Sequence, residues 1–143
     1  MSVQKTNDQA NSGHSSILIL RDREARFLNS SNVGASLRHF SVILPGAGSL
    51  TAEYGNTLFP QEARYEFNFP RDPDEHRGNI DYRDENGVYF IMPKSGKFVV
   101  ISKDEGSPDT FTNYINYINL IFEREGQEVT INGTGEATFI FKG

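Results

Sequence analysis

Apolar and polar residues alternate with a period of two through much of the chain, which is the spacing of strands rather than helices. Tyr65, Phe67 and Phe69 alternate with Arg64, Glu66 and Asn68, and Ile80 and Tyr82 alternate with Asp81 and Arg83. Near the C-terminus Val129 and Ile131 flank Thr130, and Ala137, Phe139 and Phe141 alternate with Thr138, Ile140 and Lys142. Between those two runs lies Asn132-Gly133-Thr134-Gly135. Asn and Gly tolerate the positive φ of a tight turn, so this pattern predicts a hairpin there.

Other segments read as strands for related reasons. Residues 16–20 are apolar on both faces, as in a central strand. Residues 37–44 place Phe40, Val42 and Leu44 on one face, and 50–54 is a shorter candidate. Residues 88–92 and 97–102 are apolar on both faces and are expected as a pair in the interior, joined through Pro93-Lys94-Ser95-Gly96. Pro45-Gly46-Ala47-Gly48 and Asp84-Glu85-Asn86-Gly87 read as turns. Pro70 and Pro73 exclude a central strand between them, because neither can donate to a ladder.

Segment 108–125 has two readings. Pro108 and Asp109 at its start and Gly126 at its end would punctuate a helix. Its Thr, Phe, Asn, Tyr and Ile are poor helix formers and suit a pleated surface, which favours a strand. With 108–125 as a strand, residues 114–142 make a three-stranded meander. The predicted fold is then all-β, an antiparallel β-sandwich or jelly-roll-like domain over 16–143. The alternative is α+β with one helix at about 108–125.

Composition trims this picture without redirecting it. A chain of 143 residues is enough for one domain with a real core, although only 36% of it is hydrophobic. Part of the deficit lies in residues 1–15, where Met1, Val3 and Ala10 are the apolar residues, so a disordered tail is expected there. The net charge of −5, with scattered Lys and Arg, argues against nucleic acid. The absence of cysteine excludes disulfides, thiolate nucleophiles and Cys-ligated zinc. No apolar run reaches the roughly 20 residues that a membrane span needs. No leader pattern is visible, so the expected location is cytoplasmic, or exported without a visible leader.

Candidate chemistry is sparse. His14, His39 and His76 show no HxxxH or HExxH spacing, so neither a metal nor a cofactor is expected. Asp72, Asp74, Glu75, Asp81, Asp84 and Glu85 crowd two neighbouring loops, but they lack the EF-hand pattern, and Arg71, Arg77 and Arg83 would repel a cation. The glycines at 46 and 48 belong to no Walker loop, and no serine sits in a GxSxG elbow. Tyrosines offer a rigid face with a polar tip, suited to stacking on a sugar or anchoring a protein interface.

The candidate ligand-binding residues are therefore Tyr54, Tyr65, Tyr82 and Tyr89, with Asp72, Asp74, His76 and Asp84 from the acidic loops. The favoured function is a non-enzymatic binding module that meets a carbohydrate or protein surface with its central loops. One alternative is a small hydrolase or lyase with a carboxylate site around 72–85. Another is a small regulatory or pathogen-associated interaction protein. Strands with two apolar faces need cover on both sides, which leaves a homo-oligomer open.

Overall fold

The computed structural model describes residues 12–54, 63–71, 78–106 and 109–140. Its eleven strands among these residues form two antiparallel sheets packed face to face, a β-sandwich. No helix is present among the described residues, and so none long and apolar enough to cross a membrane. The helical alternative at 108–125 is thereby corrected, since Thr110–Arg124 within it is a long strand.

The first sheet has six strands in the order β2 (Glu24–Ser30), β1 (Ser12–Arg21), β11 (Gln127–Ile140), β10 (Thr110–Arg124), β9 (Ser95–Asp104) and β6 (Ala63–Phe69). The second has five, in the order β3 (Val33–Ala35), β4 (His39–Leu44), β5 (Gly48–Glu53), β7 (Asn79–Arg83) and β8 (Tyr89–Ile91). Period-two alternation turns one set of side chains from each sheet inward. Ile17, Phe98, Ile115, Phe122, Ile131 and Phe139 of the first sheet meet Phe40, Val42, Leu50, Ile80, Tyr82 and Phe90 of the second. Each of these is at most 1% exposed, so the sandwich is filled from both faces.

The hairpin expected at Asn132-Gly133 is absent. Strand β11 runs straight through both residues and pairs with β1 on one side and β10 on the other. The chain reverses at two-residue turns elsewhere. Glu125 (φ 51°) and Gly126 (φ 82°) join β10 to β11, and Asp22 (φ 52°) and Arg23 (φ 66°) join β1 to β2. Two consecutive positive φ values are the mark of a type I′ turn, whose twist matches the strands. The predicted three-stranded meander over 114–142 is accordingly two long strands.

The Asn-Gly pair serves a β-bulge instead. Opposite Asn132, β10 carries an extra residue between Tyr117 and Leu120. Asn119 takes up the irregularity at φ 47°, and its backbone N–H donates to the Asn132 side-chain oxygen at 2.8 Å. The bulge lets β10 keep Tyr117 and Leu120 both buried across the extra residue.

Two further expectations change. Residues 88–92 and 97–102 are not a pair in the interior, for β8 and β9 lie in different sheets, and β8 is an edge strand. Its outward residues Tyr89 and Ile91 are exposed, while Phe90 between them is buried. Strand β1 begins at Ser12, inside the expected tail, because 12–15 pair in register with 135–138 of β11. The rest of that tail lies outside the described residues.

Candidate functional site

At one end of the sandwich the loops 45–47 and 84–88 lie side by side and shape its surface. Asp84 organises the second loop. Its Oδ1 accepts from the backbone N–H of Asn86 and of Val88, both at 2.9 Å. Its Oδ2 accepts from Arg21 Nη1 at 3.1 Å. Arg21 also donates to Gln127 Oε1 at 2.9 Å and lies 5.4 Å over the Phe90 ring, so it ties the loop to both sheets.

Burial acts to raise the Asp84 pKa, but the donors from Val88, Arg21 and Asn86 outweigh it and hold the carboxyl below its usual range. Asp84 is thus a structural anion, with both oxygens engaged, and not the raised-pKa acid that a hydrolase reading requires. Asp84→Ala strands two backbone donors and one guanidinium, and should cost about 2–3 kcal/mol. The sign with pH follows from the lowered folded-state pKa. The contribution is complete above the unfolded value of about 3.9 and is lost as pH falls through the folded value. Urea titrations across pH should show the parent losing stability below about pH 4 more steeply than Asp84→Asn. Parallel curves for the two proteins would contradict this role.

The loop 45–47 is held from beneath. Ala47 N–H donates to the Leu44 carbonyl at 2.9 Å, and the Tyr82 hydroxyl donates to the Ala47 carbonyl at 2.8 Å. Tyr82 is 1% exposed, and burial with the nearby Glu85 and Asp84 charges pushes its phenol up to about 12, against the pull of Arg21 and Arg26. From the side, Arg26 donates to the Gly46 carbonyl at 3.0 Å and pairs with Glu85 at 3.5 Å.

Between the two loops lies an open cleft of about 410 Å³, lined among others by Ile43, Ser49, Arg83 and Glu85. A smaller hollow of about 190 Å³ lies on the other side of Glu85, against Ile19, Arg21 and Arg26. Beside the cleft, Ile43, Ser49, Arg83 and Tyr89 form one row across the outer face of the second sheet. Tyr89 is 51% exposed, with the Arg83 guanidinium 5.6 Å from its ring centre. Ile43, Ile91 and Met92 are exposed nearby.

The sequence-derived residues therefore separate. Tyr89 is at the surface of the site. Asp84 and Tyr82 support the loops from inside and cannot stack on a ligand. Tyr54 is fully buried, away from these loops. Its phenol is raised by burial and by Tyr117, partly offset by the Asn113 side-chain amide at 3.4 Å. Tyr65 is half-buried and packs against the core. Asp72, Asp74 and His76 lie outside the described residues. Arg83, Ile43 and Met92 were missed. The signal for Arg83 was present, since it alternates with Tyr82 on a strand whose Ile80 and Tyr82 face inward.

Among the described residues no three His, Asp or Glu side chains gather in a way that could hold a metal ion. No family model, no curated protein and no solved structure matches this chain.

Proposed function

We propose that the protein is a non-enzymatic binding module, and that it meets a protein surface with the edge of its second sheet and the adjoining cleft. The observation that carries this reading is Tyr89. It stands half exposed on an edge strand, with Arg83 stacked on it and Ile91 and Met92 exposed beside it. Aromatic, Met and Arg side chains are the types enriched at interface centres. The loops beside them are pre-organised by Asp84 and Tyr82, which reduces the ordering cost of binding. In this reading Asp84 serves loop geometry rather than proton transfer.

A carbohydrate is the second reading. It is favoured by the cleft itself, where Ser49, Arg83 and Glu85 supply donors and acceptors next to an aromatic face. A glycan array and a quantitative pull-down, each run with the parent and with Tyr89→Ala, distinguish the two. A hot-spot tyrosine contributes about 2 kcal/mol or more, so saturable binding should weaken by about 30-fold in the variant. Its far-UV circular dichroism should not change, because the ring is half exposed. Equal binding by the two proteins would remove Tyr89 from the site.

A further inference from the structure

The chain holds two Asn-Gly pairs, Asn86-Gly87 and Asn132-Gly133. The fold puts them in opposite situations. Glycine has no Cβ to shield its backbone nitrogen, so in this dipeptide that nitrogen can reach the Asn side-chain carbonyl carbon, Cγ. Asparagine is thermolabile largely for this reason. Ring closure needs an Asn side chain that is free to swing and a backbone that can turn its ψ out of the extended range.

Asn132-Gly133 has neither freedom. Gly133 pairs with Ile17 of β1 and with Tyr117 of β10, so the backbone is held from both sides. Asn132 Oδ1 accepts from the Asn119 N–H at 2.8 Å. Asn86 is exposed in the loop 84–88, and its side-chain amide makes no hydrogen bond among the described residues. The Gly87 N–H donates to the Asp84 carbonyl at 3.0 Å. A turn bond in an exposed loop opens far more readily than a ladder in the middle of a sheet.

A cation lies beside the exposed pair. A Cβ on Gly87 would meet Arg83 Nη2 at 3.6 Å and Nε at 3.9 Å. A guanidinium there favours ionisation of the amide nitrogen and the oxyanion that forms when it attacks. The neighbouring acids are engaged elsewhere. Asp84 pairs with Arg21, Glu85 pairs with Arg26, and Asp81 Oδ1 accepts from the Asn79 side chain and the Met92 N–H.

We infer that Asn86-Gly87 is a self-modification site, where the folded protein deamidates and rearranges its backbone with Arg83 assisting. The Gly87 nitrogen loses its proton to solvent and bonds to Asn86 Cγ. The Cγ–Nδ2 bond breaks, and ammonia leaves. Water then opens the cyclic imide at either carbonyl, which gives aspartate or isoaspartate at position 86. Isoaspartate lengthens the main chain by a carbon between the N–H groups of 86 and 88, both of which Asp84 Oδ1 holds at 2.9 Å. Either product adds a negative charge beside Asp84 and Glu85. The change lies next to Tyr89 and so would weaken the proposed binding surface, yet the reaction itself requires no ligand and is read without one.

Peptide mapping by mass spectrometry tests this on the full chain, kept folded in mildly alkaline buffer and, in parallel, unfolded in concentrated urea. In urea both pairs should convert. In the folded protein residue 86 should convert about tenfold or more faster than residue 132, because the central ladder must open first. Asn86→Gln, whose ring would have to be larger, should show no conversion at 86 over the same period, with an unchanged circular dichroism spectrum. Arg83→Gln should slow conversion at 86 about threefold or more in the folded protein, as loss of a partly screened cation predicts, and leave it unchanged in urea. Equal conversion at 132 and 86 in the folded protein overturns the inference. So does a folded protein unaltered at 86 once the urea-treated chain has converted. An Arg83→Gln rate equal to the parent's overturns the part assigned to Arg83.

Discussion

Gly133→Val should lower stability by about 3 kcal/mol or more and bring the melting temperature down by roughly 10 °C. Gly133 lies on β11, between β1 and β10 in the middle of the larger sheet. A Cβ at this position would fall 2.3 Å from the Ser16 carbonyl oxygen and 3.0 Å from the Ile17 Cα. Both are backbone atoms of a paired strand, so neither can rotate away. The β1–β11 ladder must spread instead, and β1 carries the buried Ile17 and Ile19. Gly126 provides the comparison. It has φ 82°, but a Cβ there would meet nothing within 4 Å, so its requirement is conformational alone. Asn tolerates that region, and Gly126→Asn should cost under about 1 kcal/mol. Urea denaturation of the two variants separates steric approach from backbone conformation. A Gly133→Val protein as stable as Gly126→Asn would mean that β1 and β11 do not lie in this register.

Those two glycines also show what the chain's pattern revealed and what it hid. Asn132-Gly133 between alternating runs has the composition of a hairpin turn. A bulge next to a close strand approach asks for the same residues, one to accept a backbone donor and one with no Cβ. Local sequence cannot separate the two uses, because the difference lies in partners 13 and 116 positions away, Asn119 and Ser16–Ile17. Of the true turns, the one at Glu125-Gly126 falls where the predicted meander breaks between 124 and 128, whereas Asp22-Arg23 reads only as a charged interruption between two runs.

Where alternation was unambiguous the outcome was faithful. Residues 63–69 and 79–83 are strands with the expected bounds, and Phe67 and Phe69 are core. The same rule would have placed two of the candidate tyrosines. Tyr54 stands two positions beyond Ala52 and four beyond Leu50, and Tyr82 two beyond Ile80, so the period that buries those neighbours buries the tyrosines. Tyr89 falls on the opposite face from Phe90, and its exposure depends on β8 being an edge strand. Strand order is a long-range property that no local window contains.

Phe98→Ala should be the most damaging single truncation in the core, at about 3–5 kcal/mol. Phe98 is fully buried on β9, where Tyr117 of β10 and Phe67 of β6 are its cross-strand partners. Its ring stacks on Phe67 at 4.7 Å and lies 6.1 Å from Phe69, and Phe67 in turn lies 6.2 Å from Tyr54 of the other sheet. The aromatic series thus runs from the edge strand of one sheet across the interior to the other. Removing Phe98 opens a cavity bordered by rigid rings, which cannot collapse to fill it as aliphatic chains can. Against a total stability of about 5–15 kcal/mol for a domain, that loss decides whether the protein stays folded at physiological temperature. A double-mutant cycle with Phe67→Leu should return a coupling of about 0.5–1.5 kcal/mol, the share that belongs to stacking rather than to burial. Equilibrium urea unfolding measures both quantities. A loss below about 1 kcal/mol for Phe98→Ala would mean that β6 and β9 do not meet through these rings.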